Sequence, residues 1–149
     1  CIDGGRLLIK GNKSELIQSK EIQNIENRNK NIEFVDYVEN INDFYKECDI
    51  FCLPSIDDGF GMVVFEAMAN ALPVIVTKNV GASTFVSHEE NGYIVNIKKS
   101  DEIREKILLL YKDRSKLLRF SKRSLFIYKN YVNSNTSYLN SIKNLFLSL

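Results

Sequence analysis

Short apolar runs return along this chain at residues 7–9, 32–35, 49–53, 73–77 and 93–97, and the stretches between them carry apolar residues at helical spacing. Strands that are apolar almost throughout are buried on both faces, the condition of a parallel sheet covered by helices on either side. The alternation therefore predicts an α/β fold built on a doubly wound, Rossmann-like parallel sheet. Helices are predicted over 14–27, with Ser14 as cap, over 41–48 and over 61–71, with a helical turn over 82–87. From residue 100 onward the pattern is helical to the end. In such sheets ligands sit outside the carboxyl ends of the strands. Gly11, the Tyr37-Val38 pair, residues 54–61 and residues 78–83 each follow a strand and are expected to share one rim.

Composition narrows the chemistry. A length of 149 residues suits one domain with a substantial core. Twenty Lys and Arg against nineteen Asp and Glu leave a net charge of +1, which offers no bulk basicity for nucleic acid. Cys48 and Cys52 lie on or beside an apolar strand and read as small core hydrophobes rather than a redox pair. One His and no ligand spacing leave no metal site to propose. No apolar run reaches membrane-spanning length, and a reduced, cytoplasmic setting is the expectation. The chain starts at Cys1, close to a first strand, as a fragment of a longer protein would.

Chemistry concentrates in residues 54–76, which read PSIDDGFGMVVFEAMANALPVIV. Gly59-Phe60-Gly61 precedes a helix, where bare backbone N–H groups and the positive end of the helix dipole can hold a phosphate. Asp58 and Glu66 bracket that position, and carboxylates are strong acceptors for sugar and ribose hydroxyls. A sugar nucleotide is the implied ligand. Each residue also has a purely structural reading. The glycines permit a tight turn, Asp58 caps the helix, Glu66 faces solvent from an otherwise apolar helix, and Lys78 and His88 are surface groups. Tyr128, Tyr131, Tyr138 and Phe146 either pack on their own domain or once faced a partner domain.

Taken in order, the acidic-GFG, EAMA, LPVI and NGY strings closely resemble the nucleotide-binding, C-terminal half of the retaining GT-B glycosyltransferases of the "group 1" family. Its hallmark is a Glu, seven residues and a second Glu, and Asp58 and Glu66 stand in those places. LLIKG, NIEFVDYVENINDFYKECDIFCLPS and ENGYIV extend the likeness over essentially the whole chain. The resemblance implies that Glu66 binds the ribose hydroxyls and that Asp58 faces the donor sugar, these being the two acids of the catalytic site. It implies that the backbone through Gly59, Phe60, Gly61 and Met62 meets sugar hydroxyls and the distal phosphate. Val63 would lie near the proximal phosphate, with Gly11, Tyr37 and Val38 flanking the base. Four positions depart from the family's pattern: Asp58 replaces Glu, Thr84 replaces an acid, Ala71 replaces Gly before Leu-Pro, and Asp36 replaces Gly before Tyr-Val.

The resemblance further implies a hexosyltransferase-type enzyme that moves a sugar, with retention, from a nucleoside diphosphate sugar to a glycan or lipid-linked acceptor. No metal or other cofactor is expected, because cationic side chains and a helix N-terminus stabilise the departing diphosphate. By spacing, Arg6 and Lys10 are not the family's diphosphate-binding Arg/Lys pair. That pair is expected upstream, with a first βα unit and an N-terminal acceptor-binding domain, so that this half alone catalyses nothing. Any peripheral contact with the inner face of the cell membrane would lie in that missing half. Polysaccharide or lipopolysaccharide biosynthesis is the commonest setting. The alternatives are a non-catalytic nucleotide- or sugar-binding GT-B module and a GT-B epimerase.

Overall fold

A computed structural model of the chain describes residues 4–11, 22, 24, 25 and 28–147, with side chains to residue 135. It divides into two compact units, Cys1–Phe44 and Tyr45–Leu149. In the first, β1 (Leu7–Lys10) pairs in parallel with β2 (Ile32–Val35), Leu7 opposite Ile32 and Lys10 opposite Val35. Of the helix predicted over 14–27, residues 22, 24 and 25 are helical, and the rest, Ser14 included, lies outside the described residues. A short helix, α1 (Ile41–Lys46), spans the boundary, its last two residues, Tyr45 and Lys46, belonging to the second unit; the Asn42 N–H donates to Asn40 Oδ1 at 3.0 Å.

The second unit holds a three-stranded parallel sheet in the order β3 (Phe51–Leu53), β4 (Val74–Thr77), β5 (Gly92–Val95). β4 is central, and all four of its residues are buried, as a continuous apolar run in a covered parallel sheet requires. Between β3 and β4 lies α2 (Met62–Ala69), and between β4 and β5 a 3₁₀ turn at Gly81–Phe85. Two helices close the fold: α3 (Ser100–Lys112) and α4 (Arg114–Leu147). Ile75, Tyr93 and Val95 from the sheet pack with Leu110 of α3 and with Leu117 and Phe120 of α4. α2 packs against β3, β4 and α4. Fold class and the succession of elements along the chain agree with the sequence reading, each sheet being parallel throughout.

Element ends differ for local reasons. The fifth strand stops at Val95, not residue 97, because the Asn96 N–H donates to Glu102 Oε2 at 2.9 Å instead of extending the ladder. α2 ends at Ala69 rather than 71 because Ala71 has φ 59, in the left-handed region. Leu72 N–H bonds the Ala67 carbonyl at 3.0 Å and Ala71 N–H that of Met68 at 3.0 Å, the paired bonds of a Schellman stop. Glycine is the residue that adopts this conformation without strain, so alanine here is an exception that the helix carries at a cost. Ala71→Gly is therefore expected to stabilise the unit by about 1 kcal/mol, readable as a higher midpoint in thermal unfolding. An unchanged or lower midpoint would count against the strain.

Two open readings resolve in the packing. Tyr131 of α4 meets the Phe65 and Phe85 rings at 4.9 Å and 5.0 Å, so this aromatic packs on its own unit. Tyr138 and Phe146 lie outside the residues whose side chains are described. Burial pushes the thiol of Cys52, partly buried against the core, up to about 11, which disfavours the reactive thiolate.

Candidate functional site

The loop after β3 and the loop after β4 are laced together by backbone. Asp58 N–H donates to the Asn79 carbonyl at 3.3 Å, Gly81 N–H to the Asp58 carbonyl at 3.1 Å, and Ala82 N–H to the Phe60 carbonyl at 2.6 Å. Buried Thr77, at the end of β4, adds a hydroxyl bond to the Ser55 carbonyl. Residues 54–61 and 78–83 thus converge on one rim of this unit, as the strand order predicts. The approach is so close that a Cβ on Gly81 would stand 2.3 Å from the Gly59 carbonyl oxygen.

That lacing sets the start of α2. The N-cap is Gly61, left-handed at φ 76 and ψ 51, and no side chain caps the helix. The reading of Asp58 as a simple cap is thereby excluded; its main chain is engaged across the two loops and its side chain is half-buried. A Cβ on Gly61 would also lie 2.6 Å from Val80 Cγ1. Val64 N–H bonds the Gly61 carbonyl at 2.9 Å, and among the described residues the N–H groups of Gly61, Met62 and Val63 donate to no carbonyl. Unengaged N–H groups at the positive end of a helix dipole are what a phosphate needs. The exposed residues Gly59, Phe60, Met62 and Val63 surround them, Phe60 lying stacked on Phe65 with ring centroids 5.5 Å apart.

Glu66 sits one turn along α2. Its neighbours Val64, Phe65, Ala67 and Met68 are buried, while Glu66 itself is partly exposed. Side chains on a helix lean toward its N-terminus, the end at which the free amides lie. The side chain is not loose in solvent: the Tyr45 hydroxyl donates to Glu66 Oε2 at 3.0 Å. The Val63 carbonyl stands 3.4 Å from the same hydroxyl. Tyr45 is 3% exposed, with an edge-on contact to Phe51 at 6.1 Å. Burial first, then the Glu66 carboxylate, pushes its phenol well above the ordinary tyrosine value, so it stays a neutral donor. Sequence reading placed Tyr45 only as part of a short helix; nothing in local spacing links it to a residue 21 positions away.

Asp58, Gly59, Phe60, Gly61, Met62, Val63 and Glu66 all belong to this unit. Gly11, Tyr37 and Val38 belong to the other, where Gly11 N–H bonds the Val35 carbonyl at 3.2 Å and Lys10 Nζ the Asp36 carbonyl at 3.1 Å. Both positions therefore sit at the carboxyl ends of β1 and β2, and the Tyr37 side chain is exposed. His88 is exposed and structural, its Nδ1 accepting the Ile94 N–H at 3.1 Å. Lys78 is exposed. Among the described residues no cluster of His, Cys, Asp and Glu could hold a metal, and no helix is long and apolar enough to cross a membrane.

Comparison with known proteins sets these positions in context. The family model described as glycosyl transferases group 1 matches residues 3–125. CapM of Staphylococcus aureus, a capsular polysaccharide biosynthesis glycosyltransferase, is 36% identical over 88 residues, covering 59% of this chain and 23% of CapM. The C-terminal domain of LpcC, a group 1 family glycosyl transferase of Francisella tularensis, superimposes with a TM-score of 0.71 at 27% identity, over 79% of this chain and 64% of that one. HepE of Anabaena, solved in complex with UDP, superimposes with a TM-score of 0.82 at 22% identity, over 97% of this chain and 42% of HepE. The chain spans less than a third of the length of the curated relatives it matches.

Proposed function

The chain belongs to the group 1 glycosyltransferases, and on that premise we propose that it is the donor-binding part of an enzyme that takes a sugar from a nucleoside diphosphate sugar. One observation carries this reading: the unengaged N–H groups at the start of α2 stand one turn from Glu66, a carboxylate on the same helix. A diphosphate on those amides would place its ribose within the province of a carboxylate one turn on. The amides supply fixed dipoles where charge develops on the leaving phosphate, with no metal called for. Glu66 holds the ribose hydroxyls, and Asp58, on the laced loop, faces the sugar. Complexes of HepE with UDP and with UDP-glucose support a nucleotide sugar as donor.

The sugar passes with retention of configuration to a glycan or lipid-linked acceptor bound by a domain that precedes this one, together with the Arg/Lys pair that neutralises the diphosphate. CapM supports polysaccharide assembly as the setting. The enzyme works in the cytoplasm, and any contact with the inner face of the membrane is made by the preceding domain. On this reading the 149-residue chain alone turns over no donor, whereas the full-length protein releases nucleoside diphosphate in the presence of acceptor. Transferase turnover by the isolated chain would overturn the division of labour.

A further inference from the structure

We propose that Tyr45 is a positioning residue for Glu66: its hydroxyl fixes the carboxylate so that the other carboxylate oxygen is left to accept the ribose hydroxyls of the donor nucleotide. The inference rests on the nucleotide reading of the site given above. Three observations carry it. Tyr45 is 3% exposed on α1 and its ring is held against Phe51, so the hydroxyl has little freedom of its own. That hydroxyl has one proton to give, and among the described residues it lies 3.0 Å from Glu66 Oε2 and 3.4 Å from the Val63 carbonyl. The shorter, charge-assisted bond takes the proton. Among the described residues Glu66 Oε1 accepts no hydrogen bond, so the carboxylate is tethered at one oxygen and open at the other.

A partly exposed glutamate on a helix samples several rotamers, and ordering it on binding costs affinity. Tethering it beforehand removes that cost. The same hydroxyl lies beside the carbonyl of Val63, in the turn whose amides would meet the phosphates, so one buried phenol sits at both halves of the candidate site. A neutral phenol is required for this role, and its burial beside a carboxylate keeps it neutral across the physiological range.

The test separates positioning from mere packing by asking which part of the ligand is felt. Uridine, guanosine and adenosine diphosphates and their 2′,3′-dideoxy forms are titrated into the wild-type chain and into Tyr45→Phe, Glu66→Ala and the double variant. Tyr45→Phe is expected to lose about fivefold in affinity for the ribose form, the worth of one hydrogen bond. Its affinity for the dideoxy form, which needs only the amides, is expected to hold. In the Glu66→Ala background Tyr45→Phe is expected to add nothing. Equal weakening toward both forms would make Tyr45 a structural residue and overturn the inference, as would an unchanged preference for ribose. A Tyr45→Phe effect that persists without Glu66 would overturn it too, since the two would then act independently. If Tyr45→Phe fails to fold, Tyr45→Leu and Phe51→Leu are compared: both disturb the packing, and only the first is expected to change the ribose preference. A wild-type chain that binds ribose and dideoxy forms alike would remove the nucleotide reading itself, and the inference with it.

Discussion

Gly81→Ala is expected to separate the two loops on which the candidate site is built. The new Cβ would stand 2.3 Å from the Gly59 carbonyl oxygen and 3.0 Å from Phe60 Cα, and both are backbone atoms that no change of rotamer can move aside. Relief requires the loops to part, which strains the bonds of Gly81 to Asp58, Ala82 to Phe60 and Asp58 to Asn79. A net hydrogen bond is worth about 1 kcal/mol, so losing two or three puts the destabilisation at about 2–4 kcal/mol. A domain of this size holds only about 5–15 kcal/mol in total. The same displacement shifts Gly61 and with it the direction of the free amides, so nucleotide binding should fall further than stability. Chemical denaturation gives the first quantity and calorimetry the second. A variant as stable as wild type would show that the loops are less tightly joined than their distances say.

Glu66→Ala is the second large effect, and its signature is the reverse. Affinity for a nucleoside diphosphate should fall tenfold or more, about 1.4 kcal/mol, because a charged acceptor for two hydroxyls is gone. Stability should change little. A buried Tyr45 hydroxyl without a partner would cost about 1–3 kcal/mol, but the Val63 carbonyl stands 3.4 Å away and can take over the bond. Loss of binding with the fold intact therefore marks Glu66 as a ligand-facing group, and a large drop in unfolding free energy with binding retained would mark it as structural.

Much of the fold was legible because the strands are short apolar runs set between turn residues, and a central run as uniform as Val74–Thr77 fits a covered sheet. The candidate site is proposed from local signals as well, a glycine-led helix start and two acids at a fixed interval. Three things were not legible. The start of α2 is read at residue 61, but its cap is Gly61 and not Asp58, whose carbonyl and N–H are engaged with the loop after β4, a contact that no local pattern reveals. Its end is hidden because Ala71 adopts a glycine conformation without being glycine. The Tyr45 to Glu66 bond joins residues 21 apart on two helices, and only packing brings them together. In each case a tertiary hydrogen bond or a strained dihedral outweighed the local preference.

The central claim is that the start of α2 and Glu66 form a nucleotide site. Its most direct test is a calorimetric titration of the chain, and in parallel of the full-length protein, with UDP, GDP and ADP. Saturable one-to-one binding that favours one base, and that Glu66→Ala weakens at least tenfold, is the expected result. Absence of binding by all three to either protein, or binding that Glu66→Ala leaves untouched, would contradict the assignment of this site.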